Sequence, residues 1–231
     1  MVSKCTVWDI KVWDIKLVRV LHNSKVLHNR YRISMTISNH KKEEKKQIRE
    51  PLSDSFYLGS AVDVAPKLVG AHIRMGDIEL EILETEAYMP DDSACHAYKG
   101  QTPRTLPMFD RGGKIYVYLC YGIHVLLNIV TGDIGSGQAV LIRAARVVDG
   151  ADIVRQRRKG RLDLIGPGKV GQALGLSVQD SGREMGDWFQ IYPSQRTTEI
   201  RIRTEKRVGI DYAKPKDRDV LWRFILDEAS I

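Results

Sequence analysis

The stretch Ile78-Glu79-Leu80-Glu81-Ile82-Leu83 sets the strongest limit on how this chain can fold. Its alternation of branched apolar and acidic residues predicts a β-strand. Successive strand side chains point to opposite faces. If the strand persists, Glu84, Glu86 and Tyr88 share one face, with Thr85 and Ala87 on the other. A loop carrying His96 follows, through Asp91-Asp92-Ser93-Ala94-Cys95-His96-Ala97-Tyr98. Carboxylates, an aromatic ring and an imidazole close together suit a site that splits a bond on a flat heterocycle. A solvated acidic strand end is the alternative reading of the same residues.

The neighbours of this strand extend the pattern. The folded domain is expected to begin near residues 52–56, where Ser53-Asp54-Ser55 offers helix-capping residues. Residues 60–69 have the apolar spacing of a short helix. Residues 70–75 and 78–86 read as a hairpin with Met75-Gly76-Asp77 at its turn. The segment Pro103-Arg104-Thr105-Leu106-Pro107 is too proline-rich for regular structure. Strands are predicted at 114–120 and 124–130, and at 139–148, which is continuous enough to be central. Helices are predicted at 151–159 and 169–174. Further strands are expected at 188–192, 200–204 and 208–211, and the chain ends on an apolar run at 220–225. Strands in runs with a few helices between them indicate an α+β domain with mainly antiparallel pairing.

Charge has to be located before it is used. The chain of 231 residues carries a net charge of +7. Residues 1–50 hold 12 Lys/Arg against 5 Asp/Glu, so they account for all of that excess. This composition permits nucleic-acid binding without establishing it. The same fifty residues contain two back-to-back duplications. Val7-Trp8-Asp9-Ile10-Lys11 is followed by Val12-Trp13-Asp14-Ile15-Lys16, and Val20-Leu21-His22-Asn23-Ser24-Lys25 by Val26-Leu27-His28-Asn29-Arg30. They read as a local duplication or as translated sequence upstream of a start at Met35. With the charge run Lys41-Lys42-Glu43-Glu44-Lys45-Lys46, they predict a basic, disordered extension over residues 1–50, ahead of a domain over 51–231. No apolar run reaches the roughly 18 residues of a membrane span. Three cysteines without a C-x-x-C pair suggest a reduced, intracellular protein without structural zinc.

Several motifs in consistent order carry a resemblance. Glu84-Thr85-Glu86-Ala87-Tyr88 is followed by Cys95-His96-Ala97-Tyr98, Gln101-Thr102-Pro103-Arg104 and Met108-Phe109. Then come Tyr116-Val117-Tyr118-Leu119-Cys120-Tyr121-Gly122-Ile123-His124 with Asn128, and Val140-Leu141-Ile142-Arg143-Ala144. Gly166-Pro167-Gly168-Lys169 with Gln172-Ala173-Leu174 completes the set. Together they resemble the alkyladenine DNA glycosylase family, over roughly residues 52–226. The resemblance implies a curved antiparallel sheet with flanking helices and a protruding β-hairpin. It implies excision of alkylated purines from double-stranded DNA by a monomer, with no cofactor, no metal and no membrane partner. Target nucleotides would be extruded from the duplex.

Site residues follow from the same resemblance. Glu86 would be the general base that activates water, and Arg143 would help to hold that water and a nearby phosphate. Tyr88, His96 and Tyr118 would line the base pocket, and Asn128 would crowd the exocyclic amino group of guanine. Tyr121 would be the wedge that enters the base stack, and Gly168 with Lys169 would meet a phosphate at a helix start. Glu84 is either a second acid or the partner of an arginine. By residue type alone, Tyr118 reads as core packing, and Asn128 and Arg143 as buried hydrogen-bonding residues. No lysine is placed as an obvious Schiff-base nucleophile, so base excision without strand cleavage is expected. A damage-binding module without catalysis and a carbohydrate hydrolase using Glu84 and Glu86 are the competing functions.

Overall fold

The computed structural model describes residues 49–227. The duplications, Met35, the charge run at 41–46 and the expected basic extension, except its last two residues, lie outside the described residues.

The spine of the fold is strand β2 (Ile78–Tyr88). Along one side it pairs with β5 (Gln138–Asp149). Along the other it pairs first with β1 (His72–Met75) and then with β9 (Arg223–Leu226). Beyond β5 lie β4 (His124–Thr131) and β3 (Ile115–Cys120), and beyond β1 lies β7 (Gln190–Tyr192). Two short strands complete the sheet: β6 (Leu164–Ile165) on β5, and β8 (Ile202–Glu205) on β9. Every pairing is antiparallel, so the nine strands form one open sheet of the α+β class, as the strand order predicts.

Helices close one face of this sheet. In α1 (Ala61–Leu68), Ser60 caps the first turn by accepting the Asp63 N–H at 3.2 Å. Ala61, Val64, Ala65 and Leu68 form the buried stripe of α1. A second helix, α2 (Ala151–Arg157), packs beside α3 (Pro167–Leu174), which lies against β4 and β5. That approach is close: a Cβ on Gly171 would meet the Val125 carbonyl oxygen at 2.1 Å, so only glycine fits. Ile73, Leu80, Ile82, Leu127, Ile129 and Ile142 are fully buried in the resulting core. Each such side chain contributes about 1.5–3 kcal/mol by burial. A last short helix, α4 (Pro215–Arg218), sits near the C-terminal end.

A pair of irregularities positions the site. In the first half of β2, Ile78, Leu80 and Ile82 enter the core; in the second half, Ala87 does, and Thr85 bonds the Ala65 carbonyl of α1 at 2.9 Å. The core-facing parity therefore switches from even to odd. The switch lies at Leu83, which has no partner in β5, and one pair farther along the ladder skips Arg143 of β5. An extra residue in a strand bends it and re-aims the side chains beside it. Glu84, Glu86 and Tyr88 consequently face away from the helices.

Three expectations need correction. Residues 208–211 are not a strand but a loop, because the Val208 N–H bonds a side chain instead of a neighbouring strand. The strand expected at 188–192 shrinks to Gln190–Tyr192, and the terminal apolar run holds a strand over Arg223–Leu226. The proline-rich segment also holds regular structure, since a 3-10 turn begins at Leu106 and runs to Phe109.

Candidate active site

At the far end of β2 the sheet opens into a cleft of about 420 Å³. Such a volume is within the usual range for a small organic ligand. Glu86 lies beneath it with no solvent exposure. One of its oxygens accepts the Tyr88 hydroxyl at 2.8 Å, and the other accepts the Val208 backbone N–H at 2.9 Å. Arg143 Nη1 stands 3.4 Å from that second oxygen, while its Nε stands 3.2 Å from Glu84. Glu84 also accepts from Arg223 at 2.8 Å. The arginine pairing of Glu84 is thus present, and it ties down the guanidinium that faces Glu86.

Burial pushes the Glu86 carboxyl above its ordinary range. The Arg143 charge, the Val208 amide and the Tyr88 hydroxyl pull it back only in part, and the Glu84 charge adds to the rise. A carboxylate held this way is a competent base that accepts a proton readily.

The walls are aromatic. Tyr88 continues from β2, and its hydroxyl proton is held far more tightly than usual by burial and by Glu86. Tyr116 and Tyr118 alternate on β3; their rings stack with centroids 5.6 Å apart. His96 enters from a 3-10 turn (His96–Lys99), with its ring edge-on to Tyr118 at 4.5 Å and its Nδ1 2.9 Å from the Tyr116 hydroxyl. Burial, helped by Arg104, lowers the His96 pKa to about 4, so at neutral pH the imidazole adds no charge to the cleft. Asn128 on β4 is buried and donates from Nδ2 to the Tyr116 carbonyl at 3.1 Å. Cys120 lies half-buried on the rim, while Cys95 is packed away, its thiol pushed up to about 12 by burial.

Tyr121 is 88% exposed at the tip of the β3–β4 hairpin. Its φ is +50° and that of Gly122 is +71°, with the Ile123 N–H bonded to the Cys120 carbonyl across the turn. Positive φ at both central positions matches the right-handed twist of the hairpin but strains a bulky residue. The turn presents the ring to solvent at the edge of the cleft.

The structure thus places Tyr88, His96, Tyr118, Asn128, Tyr121 and Arg143 around one cleft, with Glu86 at its base. Gly168 and Lys169 lie one step farther out, past Pro167, which does line the cleft; the Lys169 ammonium pairs with Asp163. Sequence reasoning gave no role to Tyr116, Arg104, Tyr212 or the Val208 amide. Tyr116 carries the same alternation signal as Tyr118. The Val208 amide left none, because branched residues at 208 and 210 read as strand.

An aromatic cleft above a buried carboxylate suits a flat ring system. Comparison with known proteins agrees. The chain belongs to the methylpurine-DNA glycosylase family, whose profile, described as Methylpurine-DNA glycosylase (MPG), matches residues 55–230. It is 46% identical over 175 residues to a DNA-3-methyladenine glycosylase of Arabidopsis thaliana, covering 73% of this chain and 68% of that protein. Proteins of Nitrosococcus oceani and Chlamydia felis, provisionally named 3-methyladenine DNA glycosylases, are 41% and 43% identical. Those matches cover 77% and 76% of this chain and 90% and 96% of the relatives. The chain is a DNA glycosylase of the 3-methyladenine class.

Proposed function

We propose that this enzyme flips alkylated or deaminated purines out of duplex DNA and hydrolyses their N-glycosidic bond with a water activated by Glu86, initiating base excision repair. The observation that carries the reading is the fully buried Glu86 carboxylate, 3.4 Å from Arg143, under an aromatic cleft. Water attacks C1′ as the C1′–N bond breaks; its proton passes to Glu86 and the bond electrons leave with the purine. A nearby carboxylate also stabilises the oxocarbenium-like sugar. Arg143 holds the water and a phosphate, and Glu84 holds Arg143.

Tyr88, His96 and Tyr118 enclose the flipped base. N-alkylated purines are cationic, and a cation over an electron-rich ring gains about 0.5–2 kcal/mol. Asn128 excludes guanine by crowding its exocyclic amino group. Tyr121 fills the gap left in the stack, at an unstacking cost of a few kcal/mol. Gly168 and Lys169 take a backbone phosphate, with the lysine exchanging Asp163 for it. Among the described residues no lysine lines the cleft, which supports excision without strand cleavage. The enzyme works as a monomer within the cell, on damaged DNA.

The test is base release from duplexes carrying hypoxanthine or ethenoadenine, and of 3-methyladenine from methylated DNA, by wild type and Glu86→Gln. Release by wild type alone, with duplex binding retained in the variant, is expected. Equal release by both would remove Glu86 from the chemistry. Binding without release by either would leave a damage-binding protein.

A further inference from the structure

Directly against Tyr88 lies a buried charge that the reading above does not use. The Arg207 side chain has no solvent exposure and pairs with the buried Asp92. Its guanidinium sits 4.7 Å from the Tyr88 ring centroid and 5.3 Å from that of Trp222. Nη1 also donates to the Ala87 carbonyl at 2.9 Å, and Nη2 donates to the Asp217 carbonyl at 3.0 Å. Three pieces of chain meet here: the end of β2, the loop leading to His96, and the strap 207–217.

That strap is part of the cleft. Val208, Gly209, Ile210 and Tyr212 line it, and the Val208 N–H is bonded to Glu86. A second tie holds its far end, where Asp217 accepts from the Ser93 N–H and hydroxyl at 2.9 and 2.5 Å. A buried ion pair kept only for stability can often be replaced by apolar residues at little loss. Here the geometry uses a planar fork of donors aimed at one carboxylate and two carbonyls. Lysine, a single point charge, cannot reproduce it.

We infer that Arg207 is a positioning residue for Glu86: by clamping the strap to the end of β2 it aims the Val208 amide at the Glu86 carboxylate. The inference rests on Glu86 as the general base. The groups facing Glu86 are Glu84 and Tyr88 from its own strand, Arg143 from β5, and the Val208 amide and Arg207 from the strap. A hydrogen bond to the charged form favours that form. Loosening the amide therefore keeps Glu86 protonated to higher pH and leaves less active base.

The experiment measures single-turnover excision of ethenoadenine against pH, duplex affinity and thermal unfolding. It compares Arg207→Lys with the pair Arg207→Gln/Asp92→Asn, which buries no unpaired charge. Both are made in the wild type and in Glu86→Gln. In the wild-type background excision is expected to fall by about 10²-fold, the scale of a misplaced catalytic group. The acid limb should move to higher pH while duplex affinity changes less than about 3-fold. In the Glu86→Gln background the same changes should cost almost nothing further, since residues acting as a unit are not additive. Equal losses in both backgrounds, an unmoved acid limb, or a loss confined to affinity would overturn the inference. Failure of both variants to fold would overturn it as well, making Arg207 a stability residue. Failure of the Glu86 reading shows separately, as equal excision by wild type and Glu86→Gln.

Discussion

At the entry end of β2, Glu79 accepts from Arg49 at 2.8 and 2.9 Å and lies 2.8 Å from His72 Nδ1. Two residues on, Glu81 is held by Arg146 and by Arg196, the latter at 2.7 Å. At the exit end, Glu86 has no guanidinium to itself and shares Arg143 with Glu84. The electrical consequence is opposite. The Arg49 hydrogen bonds, aided by His72, hold Glu79 at about 2. Burial lifts Glu81, but its two arginines outweigh that and hold it low. For Glu86 burial wins, and its carboxyl is raised. One strand thus carries acids with guanidinium partners of their own and a buried acid that shares one, and this difference in charged partners and burial separates structure from chemistry.

The sharpest break of this contrast is Glu86→Gln. It should lower excision by about 10³-fold or more, near the top of the range for a general base. It should also stabilise the fold at neutral pH. A carboxyl whose folded pKa is raised contributes stability that is lost as pH rises from its unfolded pKa of about 4.3 through the raised one, so the group is a burden to the fold above its unfolded pKa. A gain of about 1 kcal/mol would raise Tm by about 2–4 °C in a chain of this size, read by thermal melt.

The mirror change is Glu81→Gln. Losing hydrogen bonds to charged partners should cost about 1.5–3 kcal/mol in urea unfolding, with excision by the folded protein unchanged. A loss of activity at constant stability would contradict the division of roles.

Acid should separate the two ends without mutation. Excision should fall as pH drops through the raised Glu86 value, while the contribution of Glu79 persists. That contribution is present above its unfolded pKa of about 4.3 and is lost only as pH falls toward 2. His96, neutral down to about 4, adds destabilisation between its unfolded value of about 6.5 and that point. The activity limb should therefore lie at higher pH than the point at which Glu79→Gln and wild type converge in stability.

The smallest expected effect is at the hairpin tip. Tyr121→Gly relieves a positive φ worth about 1 kcal/mol, partly offset by the flexibility of glycine in the unfolded chain. Excision should nevertheless drop, by about 10-fold if the ring supplies roughly 1.4 kcal/mol of stacking. Tm and single-turnover rates would then move in opposite directions.

Much of this was legible in the residues. The acidic alternation of β2, the turn before it, the apolar spacing of helix α1 and the strand at 139–148 all rest on local patterns, and each is present. The common face of Glu84, Glu86 and Tyr88 follows from period two alone. Which way that face points does not. Strict alternation from Ile78 would have carried both carboxylates into the core with Leu80 and Ile82. The offset between β2 and β5 at Leu83 and Arg143 reverses it.

The partners were also out of reach. Arg223 reaches Glu84 across 139 positions, and the Val208 amide reaches Glu86 across 122. The chain by itself determined its longer strands, the turns between them and its candidate acids, because those depend on neighbours a few residues away. Only the tertiary structure decided which acid would have guanidinium partners of its own and which would be buried sharing one. That balance depends on burial and on guanidinium groups brought in from strands and loops far along the chain.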